Sequence, residues 1–233
     1  ERYGVATHDR PAGPLIWLHA VGLGEVMALR GMIPILSRHC PDAYFLVTSG
    51  TRQSADVFNK NLPDRTLHQY LPLDVREYCQ AFLAHWKPDV CIWSEQELWP
   101  NMIWNIDQSG IPQIVINARM NAASFRSRHR AKGMFADIYG RFSLISAQDG
   151  QTAEHLRALG ANVRVDGSLK QLSPALQVDQ REYETRKIEI GERPVLCLAS
   201  SHSADEAVAL AALDELDPET LLIIAPRRVE RSA

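Results

Sequence analysis

The sequence predicts an α/β fold built on a mainly parallel sheet with helices on both faces. Three observations predict it. Apolar, strand-like runs alternate with helix-spaced patterns along nearly the whole chain, the loops between them are short, and polar or glycine turns recur directly after the apolar runs. Strands joined through helices by short loops pair in parallel, and the ligands of such sheets gather beyond the carboxyl ends of the strands.

The first strand is Pro14-Leu15-Ile16-Trp17-Leu18, followed by His19-Ala20-Val21-Gly22-Leu23-Gly24-Glu25. Residues 25–39 carry Met27, Leu29, Met32, Ile33 and Leu36 at helical spacing. Pro34 lies inside this helix and is expected to kink or break it, since it offers no N–H and its ring crowds the preceding turn. A second strand over residues 43–48 ends in Ser49-Gly50-Thr51 and leads to a helix toward Asn59. Residues 68–73 read as a third strand, 75–86 as a helix and 89–94 as a fourth strand. A helix over 99–106, a strand over 113–117 and a mostly polar helical stretch over 122–139 follow. A short strand at 144–147, a helix from Thr152 to Gly160 and a strand at 163–165 complete the first alternation.

Composition turns polar between Gln171 and Arg193, which reads as a linker with a short helix. The expected organisation is a Rossmann-like domain over 1–170, a linker over 171–193 and a second domain beginning at 194. In that second part, 195–199 and 221–225 read as strands around a helix at 205–216. One βαβ unit cannot close a doubly wound sheet, so the chain is expected to stop inside its second domain. It opens on Glu1 rather than Met, and a preceding segment is expected.

Composition excludes several classes. Across 233 residues, 45% are hydrophobic and 23% charged, ordinary values for a globular protein, and a formal net charge of −3 gives no general attraction to nucleic acid. No apolar run approaches the ~20 residues that span a bilayer, and no secretory signal is visible. Cys40, Cys79, Cys91 and Cys197 are widely separated, a spacing that suits neither a zinc site nor a disulfide framework.

Candidate chemistry clusters after the strands. Glu25 would sit at a helix N-terminus, where the dipole favours the carboxylate, and could serve as a general base for a substrate hydroxyl; a helix-capping glutamate is the bland alternative. Ser94-Glu95-Gln96-Glu97-Leu98-Trp99-Pro100-Asn101 offers two carboxylates, a ring and an amide suited to a sugar-like ligand, although Pro100 could simply mark a first helical turn. Asn117-Ala118-Arg119 leads into Arg126, Arg128, His129, Arg130 and Lys132, a basic cluster for an anionic lipid or membrane surface, or else a solvated helix face. Asp166-Gly167-Ser168-Leu169-Lys170 is a strand-end turn with a lysine. Ser200-Ser201-His202 and Pro226-Arg227-Arg228-Val229-Glu230-Arg231 could hold phosphate. Gly22-Leu23-Gly24 opens like a dinucleotide fingerprint, but Met27 stands where Gly or Ala is needed and no acidic residue closes the second strand. No DxD metal motif follows a strand, so neither a metal nor a cofactor is expected.

Taken in order, these motifs resemble the lipid A 3-deoxy-D-manno-octulosonic acid (Kdo) transferases of Gram-negative bacteria. The similarity runs from Glu1-Arg2-Tyr3-Gly4 to Arg231 and comprises HAVGLGE (HSVSVGE in the family), YLPLD, SEQELWPN, INAR, GSLK, SSHS and PRRVER. The resemblance implies two Rossmann-like domains in the GT-B arrangement, an acceptor-binding first domain and a CMP-sugar-binding second one. It implies an inverting glycosyltransferase that moves Kdo from CMP-Kdo to a lipid A precursor (lipid IVA) at the cytoplasmic face of the inner membrane, with an apolar anchor ahead of the ERYG stretch. Carried over residue by residue, Glu25 is the proton acceptor, Glu95 and Lys170 are transition-state stabilisers, and Pro226 and Arg227 contact CMP. His19, Gly24, Glu97, Asn101, Arg119, Gly167 and Ser168 are the remaining substrate-contact candidates of the first domain, and Ser201, His202 and Glu230 those of the second. Gly22 replaces a usual serine, Ala123 stands where arginine is common, Arg228 and Val229 replace His-Pro, and the acidic residues after the Ser-His pair are shifted. With those departures, a silent lipid-binding homologue and a transferase using another activated sugar stay open as alternatives.

Overall fold

The computed structural model describes residues 1–95, 97–172 and 178–228, with Lys170 and Gln171 described by their backbone alone. The chain divides into two compact units, Glu1–Ala175 and Leu176–Ala233.

The first unit alternates strand and helix. Its elements are β1 (Leu15–Ala20), α1 (Leu23–His39), β2 (Tyr44–Ser49), α2 (Arg52–Asn59), β3 (Thr66–Tyr70), α3 (Arg76–Trp86), β4 (Val90–Ser94) and α4 (Pro100–Gln108). They continue as β5 (Gln113–Ala118), α5 (Ala122–His129), α6 (Lys132–Tyr139), β6 (Leu144–Ala147), α7 (Gly150–Ala158) and β7 (Val163–Val165). The seven strands are parallel in the order β3-β2-β1-β4-β5-β6-β7. The chain winds outward from β1 to β3, returns to lay β4 beside β1, then winds the other way. The carboxyl ends of β1 and β4 therefore flank the switch point, where open α/β sheets take their ligands.

Strand alternation sorts the core into two layers. Leu15 and Trp17 face one side with Phe82 and Trp86 of α3 and Met102, Ile103 and Ile106 of α4. Ile16, Leu18 and Ala20 face the other with Val26, Leu29 and Ile33 of α1 and Phe58 of α2. Every residue of β1 is buried, the property that makes its sequence a continuous apolar run.

Two local expectations differ from the structure. Helix α1 runs unbroken through Pro34, which lies on its exposed side, where water can satisfy the carbonyl that proline leaves unbonded. Residues 122–139 form two helices rather than one stretch. The chain turns at Arg130 and Ala131, so that Ile138 and Tyr139 of α6 reach the core while α5 buries nothing.

The second unit holds α8 (Gln180–Ile190), β8 (Val195–Ser201), α9 (Ser203–Leu213) and β9 (Leu221–Pro226), with β8 and β9 paired in parallel. Helix α8 falls in the polar stretch read as a linker. It buries no residue and is laced by Arg186 to Glu182 and Glu189 at 2.8 Å each.

Candidate active site

The loop after β1 places Gly22 as the N-cap of α1 and Glu25 in its first turn. Neither glycine of this loop has a left-handed backbone. Gly22 matters because a β-carbon there would stand where the Glu25 carboxylate folds back. Gly24 has open space above it. The carboxylate thus lies over the start of a 17-residue helix, where unpaired N–H groups favour negative charge.

Across the switch point, β4 ends in a second loop. The Glu95 amide donates to the Ile116 carbonyl at 2.8 Å, extending the sheet by one bond, and Glu95 then turns left-handed at φ 64°. Glu97 is half-buried, and its pKa is raised first by that burial and then by the Glu25 charge. The two loops therefore bring two carboxylates within electrostatic reach of each other. Pro100 occupies the first turn of α4, and Asp74 holds that turn down: its carboxylate accepts from the Asn101 amide at 3.1 Å and the Met102 amide at 2.8 Å. The Asn101 side chain donates to the Asp74 carbonyl at 2.7 Å, so its amide is engaged inside the protein. This gives the YLPLD stretch a job that its sequence did not disclose.

The β5 end supplies the third loop. Asn117 is buried and left-handed at φ 59°, beside a register shift between Val115 and Ala118. Asparagine tolerates this conformation better than other residues with a side chain, because its short polar group bonds locally. Its Nδ2 donates to Glu95 Oε1 at 3.3 Å, its Oδ1 accepts from the Leu169 amide at 3.0 Å, and its carbonyl accepts from Gln148 Nε2 at 2.9 Å. Asn117 therefore ties the Glu95 loop to the Gly167–Lys170 turn, where Gly167 is left-handed at φ 88°. Lys170 belongs to a 3₁₀ turn over Leu169–Leu172 that packs against α1, and its side chain lies outside the described residues. Arg119, two residues on from Asn117, is exposed.

His19 lies beneath these loops rather than on their surface. It is fully buried, with Nδ1 2.8 Å from Thr48 Oγ1, whose oxygen also accepts from Trp17 Nε1 at 2.9 Å. Its ring meets Trp93 and Trp99 edge-on, with centroids 5.3 and 6.1 Å away. Burial pushes its pKa down to about 3, aided by the Arg2 charge and opposed by Thr48. Among the described residues, His19 Nε2, Ser94 Oγ and Trp99 Nε1 are buried without a hydrogen-bond partner. Arg2, which sequence reasoning did not single out, donates to the Leu71 carbonyl at 3.2 Å and to the Gly50 carbonyl and lies over the Tyr70 ring. It thereby fastens the ends of β2 and β3.

Beside the Glu97 loop, Leu98, Trp104, Met134 and Phe135 line an apolar groove of about 480 Å³ between α4 and α6. Arg141 lies over the Trp104 ring at 4.1 Å and pairs with Asp107 at 2.5 Å. Arg126, Arg130 and Lys132 are exposed on the adjoining segment.

The second unit has a polar pocket of about 520 Å³ at the N-terminus of α9, lined by Ser201, His202, Ser203, Glu206, Arg227 and Arg228. The Ser201 hydroxyl donates to Glu206 Oε1 at 2.7 Å, the His202 amide to Asp205 at 2.9 Å, and the Arg227 amide to the Ser201 carbonyl at 3.0 Å. The last of these bonds joins the ends of β8 and β9 and the first two fasten the start of α9 to the end of β8, so that Arg227 and Arg228 line a pocket beside a helix N-terminus, an arrangement suited to an anion. Pro226 ends β9, and Glu230 lies outside the described residues. Among the described residues no group of three or more His, Cys, Asp or Glu side chains is arranged to hold a metal ion, and no helix is long and apolar enough to cross a membrane.

Comparison with known proteins agrees with this architecture. The family described as 3-deoxy-D-manno-octulosonic-acid transferase (kdotransferase) matches residues 1–172. A 3-deoxy-D-manno-octulosonic acid transferase of Rickettsia bellii is 34% identical, over 99% of this chain and 56% of its own length. A probable mitochondrial counterpart of Arabidopsis thaliana is 36% identical, over 97% of this chain and 53% of its own. The chain spans about half the length of these curated relatives. Among solved structures, a UDP-GlcNAc 2-epimerase from Neisseria meningitidis has a TM-score of 0.63 at 14% identity, covering 91% of this chain and 65% of that one. MurG of Acinetobacter baumannii has a TM-score of 0.52 at 12% identity, covering 92% and 68%. At such identities the likeness is one of fold, and the fold is the Rossmann-like α/β type of the GT-B glycosyltransferases. With a family match over most of its length, the chain belongs to the 3-deoxy-D-manno-octulosonic acid (Kdo) transferase family.

Proposed function

We propose that this chain supplies the acceptor side, and part of the donor side, of an inverting glycosyltransferase that moves Kdo from CMP-Kdo to a lipid A precursor. The observation that carries this reading is the Glu25 carboxylate folded back over Gly22 at the start of α1, on the β1 side of the β1/β4 switch point, with the Glu97 loop following β4 on the other side. In the proposed step, the Glu25 carboxylate takes the proton of the acceptor hydroxyl as its oxygen attacks the anomeric carbon of Kdo. The new C–O bond forms on the face opposite the breaking one, whose electrons leave with the phosphate of CMP. Lys170 and Glu95 are the proposed transition-state stabilisers, Arg227 is the proposed contact to CMP, and Glu97 is a substrate contact on the acceptor side. No metal or cofactor enters this step.

The groove between α4 and α6 supports a lipid acceptor, because its apolar walls begin beside Glu97 and basic residues lie along the adjoining segment. Acyl chains fit such walls, and anionic headgroups fit Arg126, Arg130 and Lys132 at about 1 kcal/mol each. The proposed place of work is the cytoplasmic face of the inner membrane. The pocket at α9 is assigned to CMP, through Pro226, Arg227, Ser201 and His202. The domain reading that accompanies this is an acceptor domain over 1–170, a linker over 171–193 and a CMP-sugar domain from 194.

The test is mass spectrometry of lipid A precursor incubated with full-length protein and freshly made CMP-Kdo. Wild type should add Kdo, and Glu25→Gln should abolish addition while retaining CMP binding. Transfer at the wild-type rate by Glu25→Gln would overturn the base assignment. Product only with a different activated sugar would replace the donor, and lipid binding without any product would leave a silent homologue.

A further inference from the structure

We propose that Asn117 is a positioning residue of the transfer site, a splint that sets Glu95 and the Gly167–Lys170 turn in one register. The inference rests on the transferase reading for its functional consequence and on geometry for the splint itself.

Two residues with side chains are held left-handed where the neighbouring strands β4 and β5 finish: Glu95, directly after β4, at φ 64°, and Asn117, the last residue but one of β5, at φ 59°. Residues other than glycine enter this region when the surroundings over-determine them, and such positions concentrate at functional sites. The surroundings here are specific. The Leu169 amide can only donate, so it fixes which end of the Asn117 side chain is the oxygen. That leaves the NH₂ end for the Glu95 carboxylate, which when ionised can only accept. The Asn117 carbonyl is held independently by Gln148, so the residue cannot swivel without breaking a third bond.

Few side chains could replace it. Aspartate keeps the acceptor but loses the donor and sets a second negative charge against Glu95. Glycine keeps the backbone conformation and loses both bonds. Glutamine is a methylene too long, and alanine loses both bonds in an unfavourable backbone. Asparagine at the end of β5 thus links two segments, 22 and 52 residues away in sequence, that flank the reacting centre in the proposed step. Its effect on the reaction passes through Glu95 and through the backbone that carries Lys170.

Asn117→Gly and Asn117→Asp in full-length protein separate the possibilities, read by hydrogen exchange at the Leu169 amide and by transfer kinetics. The Leu169 amide should be protected in wild type and in Asn117→Asp, and unprotected in Asn117→Gly. Both variants should lose about 10- to 100-fold in kcat, the scale expected when reacting groups are misplaced by an ångström or less, with little change in KM for CMP-Kdo. The acid limb of the pH–rate profile should move upward in Asn117→Asp alone. Retained protection in Asn117→Gly would overturn the splint. Lost protection with wild-type kcat would overturn the positioning role. A wild-type protein that transfers no Kdo would overturn the transferase reading while the exchange measurement still decides the splint, and if Asn117→Gly fails to fold, the kcat and pH profile of Asn117→Asp decide the positioning role.

Discussion

A carboxylate oxygen of Glu25 occupies the space that a β-carbon on residue 22 would fill, so the pose of the candidate base depends on Gly22. Gly22→Ala should therefore turn Glu25 away from the start of α1 and, in full-length protein, lower transfer. Alanine is a poor N-cap, so the substitution should also cost about 1 kcal/mol of stability, whereas Gly22→Ser should stay within a few tenths because its hydroxyl can cap the helix. A crystal structure of Gly22→Ala with the Glu25 carboxylate still over residue 22 would reject this dependence.

Asp74 anchors the start of α4 through two backbone amides, and this bears on the loop that carries Glu97 and Trp99. Asp74→Ala leaves two N–H groups of the first helical turn without their acceptor and should destabilise the first unit by about 1–2 kcal/mol. Urea denaturation measures it. The same carboxylate, after burial, helps push the Cys79 thiol pKa up to about 12. Cys79 and buried Cys91 should accordingly resist iodoacetamide in the folded protein, while exposed Cys40 and Cys197 react. Alkylation of Cys79 as fast as Cys40, or an Asp74→Ala variant as stable as wild type, would contradict this account.

The parallel sheet was legible because β1, β2 and β4 are buried on both faces and so read as unbroken apolar runs. The loops of interest were legible for the same reason: HAVGLGE, SEQELWPN and INAR begin where those runs end. What the sequence withheld were the partners. Nothing near Asp74 announces the amides at 101 and 102, and nothing near Asn117 announces residues 95 and 169, since these meet only when the sheet is assembled. His19 looked like a loop residue beside the glycines, yet it is the last position of β1 on the face of Leu15 and Trp17 and lies against Trp93. The run over 122–139 gave no sign of its break because no proline or helix cap marks Arg130 and Ala131, although the shift from polar α5 to the apolar residues Met134, Phe135, Ile138 and Tyr139 of α6 lies there. Pro34 warned of a kink that an exposed position does not require.

Glu97 is expected to make stability depend on pH in the opposite sense to a salt-bridged carboxylate. Its folded-state pKa is raised, by burial and then by Glu25, above the ordinary value of 4.5. The folded state therefore holds the proton more tightly, and stability falls as pH rises from 4.5 through the folded pKa. Glu97→Gln should match wild type below that window and exceed it at neutral pH. Glu25→Gln should lower the Glu97 pKa, since it removes the neighbouring charge. Carboxyl NMR titration of Glu97 in the two backgrounds reads this directly, and identical midpoints would show that the two carboxylates do not interact.

His19 should set an acid limit on the fold. Unfolded, it titrates near 6.5; folded, burial holds it neutral down to about 3. Between those values the unfolded state binds the extra proton, so stability rises with pH across the window and is lost as pH falls, at up to about 1.4 kcal/mol per pH unit. Above 6.5 both states are neutral at this site, and the dependence should vanish. Thr48 favours an imidazolium through its hydrogen bond, but no carboxylate is among the groups described against the ring, and burial outweighs that one bond. His19→Gln removes the titration, and its denaturation midpoint should change with pH less steeply than that of wild type between pH 6.5 and 4. Equal slopes for the two proteins across that range would mean that His19 takes up its proton in the folded state and that its burial is relieved on acidification.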